Sequence, residues 1–228
     1  MIKYYEGSAF NAPAKAIVNT VNCVGVMGAG IALEFKLRYP EMFDDYSKKC
    51  KNKIIKVGAV DYYQNRDITI VNFPTKMHFK YPSRIEWIEA GLQNFVQTYM
   101  HYGITSIAFP KLGTLNGGLD WNRVKPMMEQ YLSQIDAEVY ICLDEKKEAE
   151  GLELEMVNYF NQNKNYIINN ISRINQIQKE TLLNCKPIVR FWHLSKMEKI
   201  GATTYGKIFI FCKEAVTSPL QSQLSLFD

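Results

Sequence analysis

Two glycine-rich segments of the sequence have the composition of phosphate-binding loops. Residues 25–30 read Gly-Val-Met-Gly-Ala-Gly and follow the apolar run 16–21. Residues 113–119 read Gly-Thr-Leu-Asn-Gly-Gly-Leu and follow the apolar run 106–109. Glycine lets the backbone approach a ligand closely, and the N-terminus of a following helix offers free N–H groups to an anion. The segments predict a phosphate or diphosphate site, although the first could equally be a strand-to-helix turn that binds nothing.

The glycine spacing excludes two common nucleotide-binding motifs. Residues 25–30 follow the pattern G-x-x-G-x-G, whereas dinucleotide-binding folds carry G-x-G-x-x-G. A P-loop is excluded as well, because no Lys-Ser pair follows Gly30.

One lysine and one aspartate beside these segments could carry chemistry. Lys76 follows the apolar run 68–73, whose strand would deliver it to the same rim as the glycine segments. A lysine desolvated there has a lowered pKa and can act as an amine nucleophile, although most loop lysines are simply solvated. Asp120 precedes a helical pattern, where it can cap the helix, take part in the site beside the glycine segment or do both.

The elements that position these residues follow a strand–helix rhythm over residues 1–145. Continuous apolar runs are typical of a sheet covered on both faces, so we predict an α/β fold with three α/β/α layers. A capping box at Ser83 and Glu86 predicts the start of one helix. Two further helices are predicted over 29–38 and 121–132. Strands are predicted over 2–5, 16–21, 57–63, 68–73, 106–109 and 139–143.

The composition of the chain changes at the charged stretch 144–151, which reads as a linker. We therefore predict a first domain over residues 1–146. Residues 152–215 are predicted to form a small helix-plus-hairpin appendage, with strands over 188–194 and 207–212. Residues 216–228 are predicted to be a flexible tail.

The overall composition excludes several classes of protein. The 228 residues are 47% hydrophobic and 22% charged, which excludes a disordered chain. No apolar run approaches the ~20 residues of a membrane helix, and the N-terminus lacks a signal-peptide core. The five cysteines are scattered without a C-x-x-C pair, so we expect a reducing, cytoplasmic environment and neither disulfides nor zinc. The net charge of +4 is too small to indicate nucleic-acid binding by itself.

Four blocks of the sequence, taken in order, resemble the macrodomain family. They are residues 16–22, 25–35, 72–76 and 113–121. Macrodomains are ADP-ribose-binding α/β/α modules. The resemblance is greatest to the branch that includes the DarG-type DNA ADP-ribosyl glycohydrolases, which are antitoxins to DarT toxins.

The resemblance implies roles for individual residues. It implies that Asn22 hydrogen-bonds the distal ribose and that Lys76 attacks or stabilises its anomeric carbon, while Asp120 transfers protons. Ser8 and Ala9 stand where many macrodomains carry Asp-Ile, whose aspartate reads adenine. The ligand-binding set implied in this way is Ser8, Ala9, Asn19, Asn22, Gly25, Val26, Met27, Gly28, Gly30, Ile31, Thr75, Gly113, Thr114, Leu115, Asn116, Gly117, Gly118 and Leu119.

The implied activity is hydrolytic removal of ADP-ribose from ADP-ribosylated DNA, as an antitoxin or in DNA repair. Neither a metal nor a cofactor is expected, and a DarT-like toxin is an implied partner. Two alternatives remain open at this point. The chain could be a non-catalytic reader of ADP-ribose, or a phosphatase acting on ADP-ribose 1″-phosphate.

The last residues of the chain resemble the peptide with which bacterial proteins bind the DNA sliding clamp. Leu226 and Phe227 would be paired apolar anchors, and the residues before them would fix the approach. The alternatives are a terminal segment docked on the chain's own core, or a chance match. The predicted partner-binding residues are Gln223, Leu224, Ser225, Leu226 and Phe227.

Overall fold

The computed structural model describes residues 1–218, and the predicted clamp-binding residues 223–227 lie outside this range. The chain divides into two compact units, Met1–Glu145 and Lys146–Asp228. The division falls inside the charged stretch 144–151. The units are called unit 1 and unit 2 below.

Unit 1 is built on a six-stranded sheet in the order β1-β6-β5-β2-β4-β3. All neighbouring strands are parallel except β3, which runs antiparallel to β4 at one edge. The strand predicted over 57–63 begins later than expected, and the other five lie close to their predicted positions. The strands are β1 Ile2–Tyr5, β2 Ala16–Asn22, β3 Asp61–Gln64, β4 Thr69–Lys76, β5 Ser106–Pro110 and β6 Glu138–Cys142.

Helices cover both faces of this sheet, which confirms the predicted α/β/α layers. Side chains of β2 alternate between two cores, so that Val18 packs with α3 and α4 while Ile17 packs with α1 and α2. The continuous apolar runs in the sequence reflect this burial on both sides. The helices are α1 Gly30–Arg38, α2 Pro40–Lys51, α3 Ile85–Thr98 and α4 Trp121–Leu132, with a 3₁₀ helix over Tyr99–Tyr102.

Two features of these helices differ from the sequence-based expectation. No helix was predicted over residues 40–51, where α2 begins with Pro40 in its first turn, at a position where the missing N–H costs nothing. The predicted capping box is wrong, because Arg84 occupies the N-cap of α3 and provides no side-chain cap. Ser83 is instead buried, and its backbone N–H donates to the carbonyl oxygen of Gly117 at 2.9 Å.

A row of three polar side chains crosses β2, β4 and β3. Asn72 stands directly opposite both Asn19 and Asp61 in the strand register. The Nδ2 of Asn19 donates to Oδ1 of Asn72 at 3.1 Å, and Nδ2 of Asn72 donates to Oδ2 of Asp61 at 3.2 Å. Lys49 on α2 completes the row through a 2.7 Å ion pair with Asp61. Polar groups are therefore paired across three strands beneath the end of the sheet that carries the glycine segments.

The described part of unit 2 is helical, and the predicted hairpin is wrong. The segment expected as its second strand lies inside α7, where Tyr205, Ile208, Phe209 and Cys212 are buried at the three- and four-residue spacing of a helix. That spacing is apparent only over a segment longer than the predicted strand 207–212. Residues 216 and 217, expected to begin the tail, belong to the same helix. The elements are α5 Gly151–Asn170, α6 Gln176–Asn184, a 3₁₀ helix Phe191–Lys196 and α7 Ala202–Thr217.

A buried ion pair organises the interior of unit 2. The Nε of Arg190 donates to both carboxylate oxygens of Glu153, at 3.1 and 3.0 Å. The same carboxylate accepts the backbone N–H of Phe191 at 2.8 Å, and Arg190 also donates to the carbonyl oxygen of Lys146. Both charged residues are more than nine-tenths buried. The pair therefore ties α5 to the start of the 3₁₀ helix.

Across residues 1–218, every helix falls short of the length or the apolar character that crossing a lipid bilayer requires.

Candidate functional site

The two glycine-rich segments of unit 1 meet at the carboxyl ends of adjacent strands. Glycine loop 1 (residues 23–30) joins β2 to α1, and glycine loop 2 (residues 111–120) joins β5 to α4. Gly30 has a φ of +57°, and a Cβ added there would lie 2.7 Å from Nδ2 of Asn116. The positive φ favours glycine at this position, and the short distance shows how closely the two loops approach each other.

Glycine loop 1 is shaped by Asn22, the last residue of β2. The Oδ1 of Asn22 accepts the N–H groups of Val24 and Val26, at 3.0 and 3.4 Å, and its Nδ2 donates to the carbonyl oxygen of Val26 at 2.6 Å. The hydroxyl of Tyr46 donates to the backbone oxygen of Asn22 at 2.6 Å. The Asn22 side chain thus hydrogen-bonds the backbone of glycine loop 1 and holds its first residues in place. Burial raises the pKa of Tyr46 far above its usual value, so the phenol stays protonated and keeps donating.

Glycine loop 2 is a tight turn closed by its own backbone. The N–H of Leu119 donates to Gly113 at 3.0 Å, and the N–H of Gly118 donates to Thr114 at 2.7 Å. A Cβ on Gly117 would lie 2.1 Å from the carbonyl oxygen of Gly113, so only glycine fits there. Ser83 holds Gly117 from outside through the backbone hydrogen bond described above.

Backbone N–H groups of both loops are available to an anion. Within residues 1–218, the N–H groups of Leu115 and Asn116 donate to no partner. Helix α1 begins at Gly30 with no side-chain cap, so the N–H groups of its first turn also lack intrahelical acceptors. Consecutive free N–H groups and the positive end of a helix dipole together stabilise a phosphate or diphosphate.

Lys76 lies between the two loops at the end of β4. It pairs with Asn22 in the sheet, just after a register shift in β2. Its Nζ donates to the backbone oxygen of Asn116 in glycine loop 2. Burial lowers the pKa of Lys76, because desolvation disfavours the charged ammonium form. A partly desolvated amine therefore lies against glycine loop 2, on a strand whose neighbour leads into glycine loop 1.

Asp120 is the N-cap of α4, as the sequence predicted. Its Oδ1 accepts the backbone N–H of Asn122 at 2.9 Å, and the residue is exposed at the exit of glycine loop 2. Within the described residues, no ion pair or hydrogen bond joins Asp120 to Lys76. The N-cap bond orients the carboxylate at the rim while leaving its second oxygen without a recorded partner.

Four of the predicted ligand-binding residues have side chains that are buried in the core. Ala9, Asn19, Met27 and Thr75 are between 0% and 4% exposed. Asn19 contacts Sδ of Met27 at 3.8 Å, and the hydroxyl of Thr75 donates to Val21 at 3.4 Å. These side chains support the loops from behind, and only backbone atoms could reach a ligand.

Ser8 lies in the loop after β1, and its Oγ accepts the N–H of Phe10 at 3.2 Å. This hydrogen bond closes a short turn at the start of the β1–β2 connection. Tyr46 was not among the predicted site residues, although Met42, Tyr46 and Cys50 recur at the four-residue spacing of a helix face. That spacing indicates a helix with Tyr46 on its buried face, which is the face that α2 turns inward.

Within the described residues, no group of three or more His, Cys, Asp or Glu residues is placed to hold a metal ion. All five cysteines lie in this range as free thiols. The chemistry available to the site therefore consists of backbone N–H donors, one partly desolvated amine and one carboxylate. This set suits a diphosphate whose attached sugar carbon undergoes substitution.

Comparison with known proteins connects this geometry to characterised ones. The family described as Macro domain matches residues 18–128. A DNA ADP-ribosyl glycohydrolase of Mycobacterium tuberculosis is 42% identical over 160 residues, which cover 67% of this chain and 46% of the relative. The chain thus spans about half the length of the curated relatives it matches.

Two solved structures have a similar fold. The macrodomain of Mycobacterium tuberculosis DarG is 44% identical with a TM-score of 0.61, and the match covers 62% of this chain and 97% of that structure. The structure of Thermosipho africanus DarTG in complex with ADP-ribose is 33% identical with a TM-score of 0.61, covering 67% of this chain and 44% of that one. The match thus extends over nearly the whole of a macrodomain solved on its own.

Proposed function

This chain belongs to the macro domain family, and we propose that it is a hydrolase that removes ADP-ribose from ADP-ribosylated DNA. The similarity to DNA ADP-ribosyl glycohydrolases supports the substrate. The observation that carries the proposal is the position of Lys76. Its amine is partly desolvated and contacts glycine loop 2 at the point where the two loops approach each other. A module that only binds ADP-ribose has no need of an amine with a lowered pKa there.

The proposed mechanism starts with the diphosphate held by the free N–H groups of the two loops, which fixes the distal ribose beside Lys76. The neutral amine attacks the anomeric carbon, and the bond to the DNA base breaks with its electron pair leaving on the base. The proton lost from the lysine nitrogen passes through Asp120 to that base. Water then attacks the same carbon, and its proton returns through Asp120 to the departing amine.

A second route uses the same residues without a covalent adduct. In that route Lys76 stabilises the charge that develops as the bond to the base breaks, and water attacks directly. Borohydride treatment during turnover distinguishes the routes, because an amine adduct opens to a reducible imine. A mass gain equal to reduced ADP-ribose in the wild type, absent in Lys76→Met, supports attack. Turnover without such an adduct supports stabilisation.

The test of the activity is release of ADP-ribose from ADP-ribosylated single-stranded DNA. Lys76→Met removes the amine and keeps the bulk of the side chain. We expect it to abolish release while leaving calorimetric binding of free ADP-ribose largely intact. Lys15→Met is the matched control, because Lys15 is an exposed lysine just before β2, at the opposite end of the sheet. Wild-type binding without turnover would instead favour a reader of ADP-ribose.

The proposed activity reverses DNA ADP-ribosylation in the cytoplasm, as an antitoxin or in repair, and a DarT-like enzyme would supply the substrate. A structure of a DarTG protein among the relatives supports that link. Residues 223–227 would deliver the enzyme to replicating DNA by binding the sliding clamp. Deleting Gln223–Asp228 is expected to abolish capture by an immobilised clamp, because Leu226 and Phe227 are the apolar anchors. Unchanged capture would reject clamp binding without affecting the release assay.

A further inference from the structure

The segment that follows Lys76 presents aromatic rings to solvent. Residues 77–84 read Met-His-Phe-Lys-Tyr-Pro-Ser-Arg and are called the aromatic segment. Phe79 is 44% exposed and Tyr81 is 64% exposed, although both are large side chains that usually find cover. Neither ring belongs to the two cores of unit 1. These rings are therefore available for contact with another molecule.

Local contacts hold the rings in a defined arrangement. The His78 ring stacks on Phe79 with centroids 4.4 Å apart and lies 5.5 Å from the Tyr81 ring. The backbone N–H of Tyr81 donates to the carbonyl oxygen of His78, and the N–H of Lys80 donates to Nδ1 of the same histidine, both at 3.2 Å. The turn thus orients exposed rings before any partner arrives, which lowers the entropy lost on binding.

The aromatic segment borders the site on the Lys76 side. Its first residue accepts a backbone hydrogen bond from Cys23 of glycine loop 1, through the carbonyl oxygen of Met77 at 3.3 Å. At its other end, Ser83 donates to Gly117 of glycine loop 2 at 2.9 Å. The segment therefore spans from one loop to the other beside the amine. The rings therefore lie on the segment that borders the site between the two loops.

The charge of this region is positive. Lys76, Lys80 and Arg84 lie between Asp67 and Glu86, and no acidic residue occurs in that interval. The Nζ of Lys80 lies 6.0 Å from the centroid of the Phe79 ring. Cations interleaved with exposed aromatic rings are typical of surfaces that bind single-stranded nucleic acid, where rings stack on bases and cations contact phosphates.

We propose that the aromatic segment is the docking surface for the DNA strand that carries the modified nucleotide. The proposal rests on the proposed function for its substrate. Phe79 and Tyr81 stack on unpaired bases beside that nucleotide, and Lys80 and Arg84 contact the flanking phosphates. A single strand is required, because bases within a duplex present their edges and not their faces. The surface thereby favours ADP-ribose attached to DNA over ADP-ribose attached to a protein side chain.

The first experiment measures binding of a fluorescein-labelled, unmodified single-stranded oligonucleotide to the full chain by anisotropy. Phe79→Ala with Tyr81→Ala is expected to weaken binding about tenfold or more, because stacking contributes to each base that is held. Phe79→Trp with Tyr81→Phe keeps both rings and should bind like the wild type. Tyr102→Ala is the matched control, since Tyr102 is an exposed aromatic residue that stacks on Tyr62 before β5, at the other end of the sheet.

The second experiment compares release from an ADP-ribosylated oligonucleotide with release from an ADP-ribosylated nucleoside. The double alanine variant is expected to raise the KM for the oligonucleotide about tenfold and to change that for the nucleoside far less. If the wild type turns over neither substrate, the proposed function is rejected. The anisotropy experiment still decides the docking surface in that event.

Three results would overturn the docking surface. One is equal oligonucleotide binding by the wild type and the double alanine variant. Another is a loss of binding that is just as large in Tyr102→Ala. The third is a wild type that does not bind the oligonucleotide and releases ADP-ribose equally well from the nucleoside, the oligonucleotide and a modified peptide.

Discussion

Units 1 and 2 place their polar groups in opposite ways. In unit 1, backbone N–H groups of glycine loop 2 and the amine of Lys76 are held at an accessible rim, where some of them lack partners within the described chain. In unit 2, Glu153 and Arg190 are enclosed and satisfied by several hydrogen bonds. Exposed donors at a rim can exchange water for a ligand, whereas an enclosed ion pair ties elements of the interior together. The contrast is consistent with the proposed binding site in unit 1 and with a structural role for the ion pair of unit 2.

The largest effect is expected from breaking that ion pair. Glu153→Ala leaves the Arg190 guanidinium buried without its carboxylate, so the free energy of unfolding of unit 2 should fall by about 3–5 kcal/mol. Hydrogen exchange measured by mass spectrometry should show faster exchange in α5 and α7, with no change in β2 and β4. Glu155→Ala on the same helix is the control, because Glu155 is exposed.

ADP-ribose binding by the Glu153→Ala variant tests whether the affinity of unit 1 for ADP-ribose is independent of the stability of unit 2. Calorimetry should give an affinity for ADP-ribose equal to that of the wild type. A large loss of affinity in this variant would show that the site depends on unit 2 and would break the comparison.

How far each unit could be predicted depended on whether its signals are local. Asp120 as N-cap and the helix that follows it were predicted, because the capping residue and the apolar spacing lie within one segment. The hairpin of unit 2 was mispredicted because Lys207–Cys212 is rich in aromatic and β-branched residues, whereas its helical spacing emerges only when Tyr205 is included. Propensity over six residues was overridden by periodicity over eleven or more.

A smaller effect is expected in glycine loop 2. Gly117→Ala forces a methyl group against the Gly113 carbonyl and should destabilise unit 1 by about 1–3 kcal/mol while weakening ADP-ribose binding. Thermal unfolding and calorimetry measure the two effects. Gly201→Ala provides the matched change in unit 2, where a Cβ meets nothing within 4 Å and φ is −81°. Equal effects of the two substitutions would contradict the tight closure of the loop.

Part of the site could not be predicted from sequence, because the direction of a side chain depends on strand register and on distant contacts. Asn19, Met27 and Thr75 lie in the predicted blocks, yet strand register buries the side chains of Asn19 and Thr75, and contacts with the core bury Met27 of glycine loop 1. Asn22 was predicted to hydrogen-bond the distal ribose, and its carboxamide also hydrogen-bonds the backbone of Val26, which the sequence did not indicate. The position of Lys76 was predictable, since the apolar run 68–73 marks the strand that leads to it.

The smallest effect concerns pH. Attack requires the neutral amine, so at low substrate concentration the release rate should rise about tenfold per pH unit below the pKa of Lys76 and then level off. Because burial lowers that pKa, levelling should occur at a lower pH than for a solvated lysine. Glu153→Ala should show the same profile as the wild type, since its carboxylate belongs to the other unit. A rate that does not change with pH would contradict attack by the amine.

The polar side chains of Asn19, Asn72 and Asp61 also fix the register of β4. The register in turn fixes the position of Lys76 at the end of that strand. If β4 slipped by one residue, Asn72 would turn to the opposite face, and Val71 or Phe73 would oppose the two remaining polar side chains. The buried Asn19 amide would then lose its acceptor, at a cost of about 1–3 kcal/mol. Lys76 lies four residues beyond Asn72 on the same strand. A shift in strand register therefore costs free energy inside the sheet. This cost keeps the amine of Lys76 at a fixed position at the end of β4.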